Sequence, residues 1–486
     1  MKSHPYNPID WKHLIPNIEE IVAEMDSQPI LSVGLAPYVR IIPAFFLKNF
    51  SIFSVKRSSD ADILEEYFHL YVLEDWDKSF SDKVHGTNYL VKHFLFQKFY
   101  NSLKPKPRLM FNTITDDLIG TLESLHIPFF GNGPQVANQT KYKGEFRALL
   151  KKYNLSHPYA ENYNFEAFQN ISYADLKEKF DGSFVIQRGD KEVGGNQGTF
   201  FIYNENDFNE CIHAFNLKQD FNEILVTQFV EGDSVSMLGC VTHKGILSGP
   251  LQLQFIDVPE SLQGIQASGI FFGNDQGYRS WDDAIEMKAQ KIVEGIGDHL
   301  KQIGYKGIFG IDFIYDKKKN NIFAIECNPR SPGSLLLYSL SLLEAKIPPL
   351  DFFHLASHLN MDFDFDFEKI NSALKLHADY AHISFSPKEI SSMQIPIIAG
   401  VYSYDKEKDT LIYKSAGVSL ADLRDKNDFL IIDTVPKVGQ QIERGVPRLF
   451  KFIFPYSIAK SSHEIEERAA FLVDRFAKTI IQADKK

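Results

Sequence analysis

The sequence predicts an α/β domain followed by α+β domains, and three observations predict it. Over about the first 130 residues, short apolar runs alternate with longer amphipathic ones, the pattern of a parallel sheet with crossover helices. From there to about residue 358, β-like runs surround one long amphipathic helix and end in a hairpin. Beyond about residue 360, short β-like runs separated by turn residues close on an amphipathic helix. A chain of 486 residues is too long for one ordinary core. Three domains are therefore expected, over residues 1–135, 136–358 and 359–486.

Each element has its own signal. PILSV ends at Gly34, FSIFSV runs from Phe50 to Val55, and HLYVLED ends in Glu74 and Asp75. RLMFN, the helical DDLIGTLESLH and IPFFG continue the alternation until GNGP (131–134) punctuates the chain. VANQTKYKGEFRALLKKYN has helical spacing and is closed by Pro158. In DDAIEMKAQKIVEGIGDHLKQIG apolar residues recur at three- and four-residue spacing, and Asp282 and Asp283 suit a helix start. The tail offers IPIIAGVYSY, DTLIYKS, FLIIDTV and LFKFIF as strands and HEIEERAAFLVDRFAKTIIQ as a helix.

Composition narrows the function. With 44% hydrophobic and 24% charged residues and no low-complexity block, the chain reads as globular. A formal net charge of -11, with no Lys/Arg-rich run, disfavours nucleic acid as a partner. Three scattered cysteines (Cys211, Cys240, Cys327) argue against a disulfide scaffold and fit a reducing compartment. No secretory h-region and no membrane-length apolar run is visible, so a soluble cytoplasmic protein is expected.

The strongest chemical signal is the hairpin from Gly307 to Arg330. Its first strand, GIFGIDFIYD, sets Asp312 among apolar residues; its second, NIFAIECNPR, carries Glu326, Asn328 and Arg330 at alternate positions. Alternation sends these three to one face. If Asp312 shares it, two carboxylates and an amide oxygen converge, a hard donor set suited to Mg²⁺ beside substrate phosphates. A plain solvent-facing hairpin is the competing reading. The second signal is GDKEVGGNQGT (189–199), whose Gly194, Gly195 and Gly198 let backbone N–H groups cradle phosphate oxygens; a flexible hairpin tip explains it equally well. The third, weaker, is VTQFVEGDS (226–234), a strand whose exit could offer backbone groups to an adenine edge. No Walker A pattern occurs.

Together and in this order, these segments resemble the ATP-grasp superfamily of carboxylate–amine ligases. The resemblance covers most of the chain, and the ExN hairpin is its most specific part. It implies an ATP-grasp fold preceded by a Rossmann-like domain and followed by a small C-terminal α+β domain. It also implies roles. Lys143 matches the first nucleotide-binding lysine, with Lys141 the near alternative. Gly194, Gly195, Asn196, Gln197 and Gly198 match the lid over the phosphates. Thr227, Gln228 and Val230 match the adenine linker, and Ser234, or else Glu231, the ribose contact. Asp312, Glu326 and Asn328 match the magnesium ligands, and Arg330 the arginine that steadies the phosphoryl group or tetrahedral intermediate. The sequence departs from the family where Gln187 replaces a frequent second lysine, with Arg188 or Lys191 to compensate, and where Thr227 replaces a frequent acid.

The activity implied is phosphorylation of a carboxylate by ATP and coupling of the acyl phosphate to an amine, with ADP and phosphate released. Mg²⁺ is the expected cofactor, Mn²⁺ a substitute, and small acids and amines, amino-acid or peptide-like, the expected substrates. Neither nucleic acid nor membrane is expected as a partner, and a homodimer is allowed for. The alternatives are a carboxylase similar to biotin carboxylase and a non-catalytic nucleotide-binding protein. Other features read more plainly. His354 and His358 lie four apart without an HExxH glutamate, DFDFDF (362–367) lacks calcium-loop spacing, and Cys327 is expected to pack inward. Arg444 and Arg448 are candidates to reach the site from the tail, and Gln252, Gln254 and Asn274 to contact substrates.

Overall fold

A computed structural model describes residues 2–7, 9–81, 86–190, 198–216, 222–262, 269–385, 391–392, 397–437, 441–442 and 449–481. The leading strands Ile30–Val33, Phe50–Ser54, His69–Val72, Arg108–Met110 and Phe129–Phe130 form one parallel sheet. Their spatial order is third, second, first, fourth, fifth, so the chain reverses direction across the sheet after the third strand, and the fourth pairs with the first. Period-two alternation gives the sheet two apolar faces: Ile30 and Ile52 join one buried cluster, Leu31, Val33 and Phe53 another. The helix Asp116–Ser124 starts at Thr115, whose hydroxyl accepts the Leu118 N–H at 3.2 Å.

The next region has two lobes. A four-stranded antiparallel sheet orders Ala160–Asn164, Glu223–Gln228, Phe184–Arg188 and Thr199–Ile202, and packs its own core of Phe168, Phe184, Ile186 and Val226. The larger lobe belongs to a ten-stranded sheet. It runs from Asn321–Asn328 through Gly307–Asp316, Asp233–Val241, Ile246–Ile256 and Phe271–Asp275 into Ala381–Phe385 and Phe450–Phe454. Phe429–Ile432, Gly400–Asp405 and Thr410–Ser415 complete it. One hydrogen-bonded sheet therefore crosses residue 359, where the sequence suggests a separate domain.

Helix Asp283–Gln302 lies on one face of that sheet. The Asp282 side chain caps it by accepting the Ile285 N–H at 2.9 Å, and Ile285, Ala289, Ile292, Val293, Ile296 and Leu300 turn inward. The approach needs glycine: a Cβ on Gly297 would lie 2.6 Å from Ile246, and one on Gly239 2.4 Å from Phe309. Helices Leu335–Glu344 and Leu350–His358 cover the other face. Leu335 through Leu343 are buried on every side, as befits a helix enclosed by protein.

His354 and His358 sit in this packing, ring centroids 4.5 Å apart, with His354 Nδ1 accepting the Ile308 N–H at 3.1 Å. Burial holds His354 down to about 4, so it packs as a neutral ring. Among the described residues, no group of three His, Cys, Asp or Glu is placed to hold a metal. The DFDFDF stretch is a connector in which Phe363 and Phe365 are buried while Asp362 and Asp364 face water. Among the described residues, no helix is long and apolar enough to cross a membrane.

Candidate active site

Strands Gly307–Asp316 and Asn321–Asn328 pair antiparallel, with Asp312 directly opposite Glu326 and Gly310 opposite Asn328. Opposed residues share a face, so both carboxylates and the amide point the same way. The register then slips: Phe313 pairs with Ala324, leaving Ile325 as an extra, bulged residue. Before the bulge, Asn321 and Phe323 are the half-exposed positions; after it, Glu326 and Asn328 are. The bulge thus turns Glu326 and Asn328 onto the face of Asp312 and leaves Cys327 pointing inward, 2% exposed. Burial pushes the Cys327 thiol up to about 12, which leaves it protonated and unreactive.

A chain of hydrogen bonds ties these side chains together. Asn328 Nδ2 donates to Asp312 Oδ2 at 2.8 Å, and Arg330 Nη2 donates to Asn328 Oδ1 at 3.0 Å. Arg330 lies beyond the strand end, so this bond, rather than strand alternation, brings its guanidinium to the patch. From the other side, Gln254 Nε2 donates to Asp312 Oδ1 at 2.9 Å, while Gln254 Oε1 accepts the Ser234 hydroxyl at 2.7 Å. Gln254 and Ser234 therefore orient a carboxylate. Burial, reinforced by the charge of Glu326, pushes Asp312 up to about 7 despite Gln254, Arg330 and Lys143. Burial works the same way on Glu326, but the Lys143 ammonium paired to it, with Arg330 nearby, carries it below the usual carboxylate range.

Lys143 arrives from another element. It is the first residue of helix Lys143–Lys152, which bridges the two lobes: Gly144 N–H donates to Gly189 O at 3.1 Å, and Arg147 Nη1 donates to Ala324 O at 2.8 Å. The helix thus carries the ammonium to Glu326 from beside the strand that holds Gln187. Lys141 lines a neighbouring cavity instead. On the small sheet, Gln187 is half-exposed and its amide donates to Thr199 Oγ1 at 3.0 Å. Arg188 is buried on the opposite face, so it does not stand in for a lysine at Gln187.

Thr227 lies across from Val185 on the same face as Gln187, buried, its hydroxyl without a hydrogen-bond partner among the described residues. Gln228 and Val230 follow as half-buried linker residues, and Gln228 N–H donates to Tyr159 O at 2.8 Å. Glu231 is exposed and pairs with Lys318 at 2.5 Å. Of the glycine loop, Gly198 is described and its carbonyl accepts the Arg188 N–H at 3.3 Å. Gly194, Gly195, Asn196 and Gln197, with Lys191, Arg444 and Arg448, lie outside the described residues.

A row of polar residues extends the site along the large sheet. Ser236 faces Asp312 on one side and Gln252 on the other. Gln252 is 0% exposed, and neither end of its amide has a hydrogen-bond partner among the described residues. Asn274 opposes Gln254 and donates to Leu253 O at 3.2 Å. Two cavities flank the patch. The first, about 680 Å³ of space open to solvent, is lined by Glu326, Asn328, Lys141 and Arg330 together with Asn112 and Thr113 of the leading domain. The second shares Arg330, Asn112 and Ser331 with it and reaches into the tail.

Comparison with known proteins agrees with this architecture. Residues 150–334 match the family model of the ATP-grasp domain. The chain therefore carries an ATP-grasp domain, in the fold that the hairpin and its order with the glycine loop and linker imply. It is 24% identical over 217 residues to the D-alanine–D-alanine ligase of Carboxydothermus hydrogenoformans, covering 43% of this chain and 65% of that one. It is 22% identical over 207 residues to the C-terminal section of the carbamoyl phosphate synthase large chain of Methanopyrus kandleri, covering 41% and 34%. The match thus spans less than two thirds of either relative.

Among solved structures, N5-carboxyaminoimidazole synthase of Aspergillus clavatus, in complex with ADP and 5-aminoimidazole ribonucleotide, aligns over 94% of this chain and 99% of its own, with TM-score 0.52 and 12% identity. The L-amino acid ligase of Bacillus licheniformis aligns over 93% and 97%, with TM-score 0.53 and 10% identity. The biotin carboxylase domain of Hydrogenobacter thermophilus 2-oxoglutarate carboxylase, solved with MgADP, aligns over 87% and 85%, with TM-score 0.58 and 10% identity. These likenesses establish the fold.

Proposed function

We propose that the protein is an ADP-forming ligase that phosphorylates a carboxylate substrate with ATP and joins the acyl phosphate to an amine. The observation that carries this reading is the meeting of Asp312, Glu326 and Asn328 with Lys143 and Arg330, on a hairpin of the larger lobe and a helix that bridges the two. Two carboxylates and an amide on one face supply hard oxygens of the kind Mg²⁺ takes. Asp312, Glu326 and Asn328 would hold Mg²⁺, which when bound neutralises the phosphate charge that repels an incoming carboxylate.

The remaining roles belong to the chain itself. Lys143, freed from Glu326, faces the nucleotide phosphates, and Gln187 offers a neutral donor beside it. Thr227, Gln228 and Val230 frame the adenine, with Ser234 or Glu231 at the ribose. The substrate carboxylate oxygen attacks the γ-phosphorus and ADP leaves. The amine then attacks the carbonyl carbon, phosphate departs, and the nitrogen loses a proton. Arg330 steadies the oxygens that carry charge in both steps. Positioning and charge neutralisation suffice for this chemistry, so no covalent protein nucleophile is required.

Replacing Glu326 with Ala is expected to lower ADP and phosphate release by about a hundredfold or more, since it removes a fixed charge at the reacting phosphates. The thermal midpoint should hold within a few degrees, because Glu326 is half-exposed. Release is measured with the purified protein and Mg·ATP across acid and amine pairs. Unchanged turnover in the variant overturns the assignment, and a wild type that never releases Mg²⁺-dependent ADP favours the non-catalytic reading.

A further inference from the structure

The second cavity is not accounted for by nucleotide or metal binding. It spans about 830 Å³ of space, part of it open to solvent, and begins where Arg330, Asn112 and Ser331 leave the first. Its walls are of two kinds. Val39, Ile42, Leu335 and Leu336 form an aliphatic side. Against them stand Asp433 and Lys451, ion-paired at 2.9 Å with side chains only 11% and 10% exposed.

Two further observations mark this cavity as built for a ligand. Ser384 is 0% exposed, lines the cavity, and its hydroxyl has no hydrogen-bond partner among the described residues. Asp433 and Thr434 both take positive φ, 74° and 66°, a left-handed pair in which Thr434 is β-branched and therefore strained. The strained turn is held by the Thr434 hydroxyl, which donates to Leu449 O at 2.7 Å. A buried charge pair, an orphan hydroxyl and a strained turn are each costly for stability, and all three face one space.

We propose that this cavity binds an α-amino acid with an aliphatic side chain, the substrate whose carboxylate is phosphorylated. This rests on the ligase reading for its chemistry and deepens it by naming the substrate class. Both signs of charge in one cavity fit a zwitterion. The α-carboxylate meets Arg330 at the seam between the cavities, beside the donors that face the phosphates. The α-ammonium meets Asp433, which Lys451 positions, and the side chain lies against Val39, Ile42, Leu335 and Leu336. Bicarbonate, the acid of a carboxylase, has neither an ammonium nor an aliphatic part to use these walls.

Calorimetric titration of the full chain, with L-leucine as the probe, tests this. L-leucine should bind about tenfold or more tightly than 4-methylpentanoate, which lacks the ammonium, or leucinamide, which lacks the carboxylate, and than glycine, which lacks the side chain. Asp433→Asn should weaken L-leucine by about the same factor without changing Mg·ADP affinity. The ligand series on the unaltered protein keeps the test decisive if that variant fails to fold. Normal Mg·ADP binding with no leucine binding, or with leucine and its analogues bound alike, overturns the proposal and leaves the ligase reading standing. Failure of Mg·ADP to bind removes the ligase reading itself.

Discussion

Asp312 is shared by three neighbours with different duties: Gln254 and Asn328 bond its two oxygens, and Glu326 lies across the ladder. A carboxylate held on both oxygens cannot rotate away, which would keep the proposed cation site preorganised. Gln254 spends its whole amide on this task, donating to Asp312 and accepting from Ser234. Gln254→Leu is therefore expected to raise the Mg²⁺ concentration needed for half-maximal ADP release by about 10- to 100-fold. A Mg²⁺ titration of turnover measures it; an unchanged midpoint would show that Gln254 is a packing residue. The sequence placed Asp312, Glu326 and Asn328 in one hairpin because strand alternation is local. It assigned Gln254 to substrate contact because the bond to Asp312 joins residues 58 apart in the chain.

At the scale of elements, the bulge at Ile325 decides which face the strand Asn321–Asn328 presents beside Asp312. Without it, Ile325 would take the place of Glu326 opposite Asp312. Deleting Ile325 removes the extra residue and leaves Phe313 opposite Ala324 and Asp312 opposite Glu326 in one regular ladder, so Glu326 keeps its face. Mg²⁺-dependent turnover within about tenfold of the wild type is expected, with helix and sheet content retained by circular dichroism. Loss of turnover by about a hundredfold or more in a folded deletion would mean that the bulge geometry, and not the pairing, sets the face. No residue type announces this bulge: Ile325 is an ordinary strand residue, and the slip exists only relative to Gly307–Asp316. Helix Asp283–Gln302, by contrast, was legible to its cap, because Asp282 and the three- and four-residue apolar spacing are properties of one segment.

Across the whole molecule, the tail is locked onto the leading domain as well as onto the ATP-grasp sheet. Ser59 N–H donates to Val435 O, Val435 N–H donates to Asp60 Oδ1, and Ala399 N–H donates to Ser59 Oγ, at 2.9, 2.9 and 3.0 Å. Asp60 is 0% exposed, and burial, with Asp433 nearby, raises it from an ordinary value of 3.8 to about 6. A raised carboxyl stabilises the fold fully below about pH 4, and that contribution is lost as pH rises through about 6. Asp60→Asn, which keeps the bond to Val435, should therefore gain about 3 kcal/mol relative to the wild type between pH 4 and pH 7. Urea denaturation of both proteins at the two pH values checks this; a constant difference would mean that Asp60 titrates normally in the fold.

What the sequence determined by itself was everything carried by short-range pattern: the parallel leading sheet, the long helix, the strand pair bearing Asp312, Glu326 and Asn328, and the inward Cys327. Hydrophobic period and turn chemistry act within a dozen residues, so they can be read along one chain. The tertiary structure alone decided what distant segments do to one another. It brought Lys143 onto Glu326, set Gln254 on Asp312, and turned Arg188 away from Gln187. It also ran one sheet through residue 359 and closed a charged, aliphatic cavity against Arg330 with residues from the tail. Those contacts depend on strand order and burial, which are satisfied over the whole fold at once and leave no mark in any single stretch of sequence.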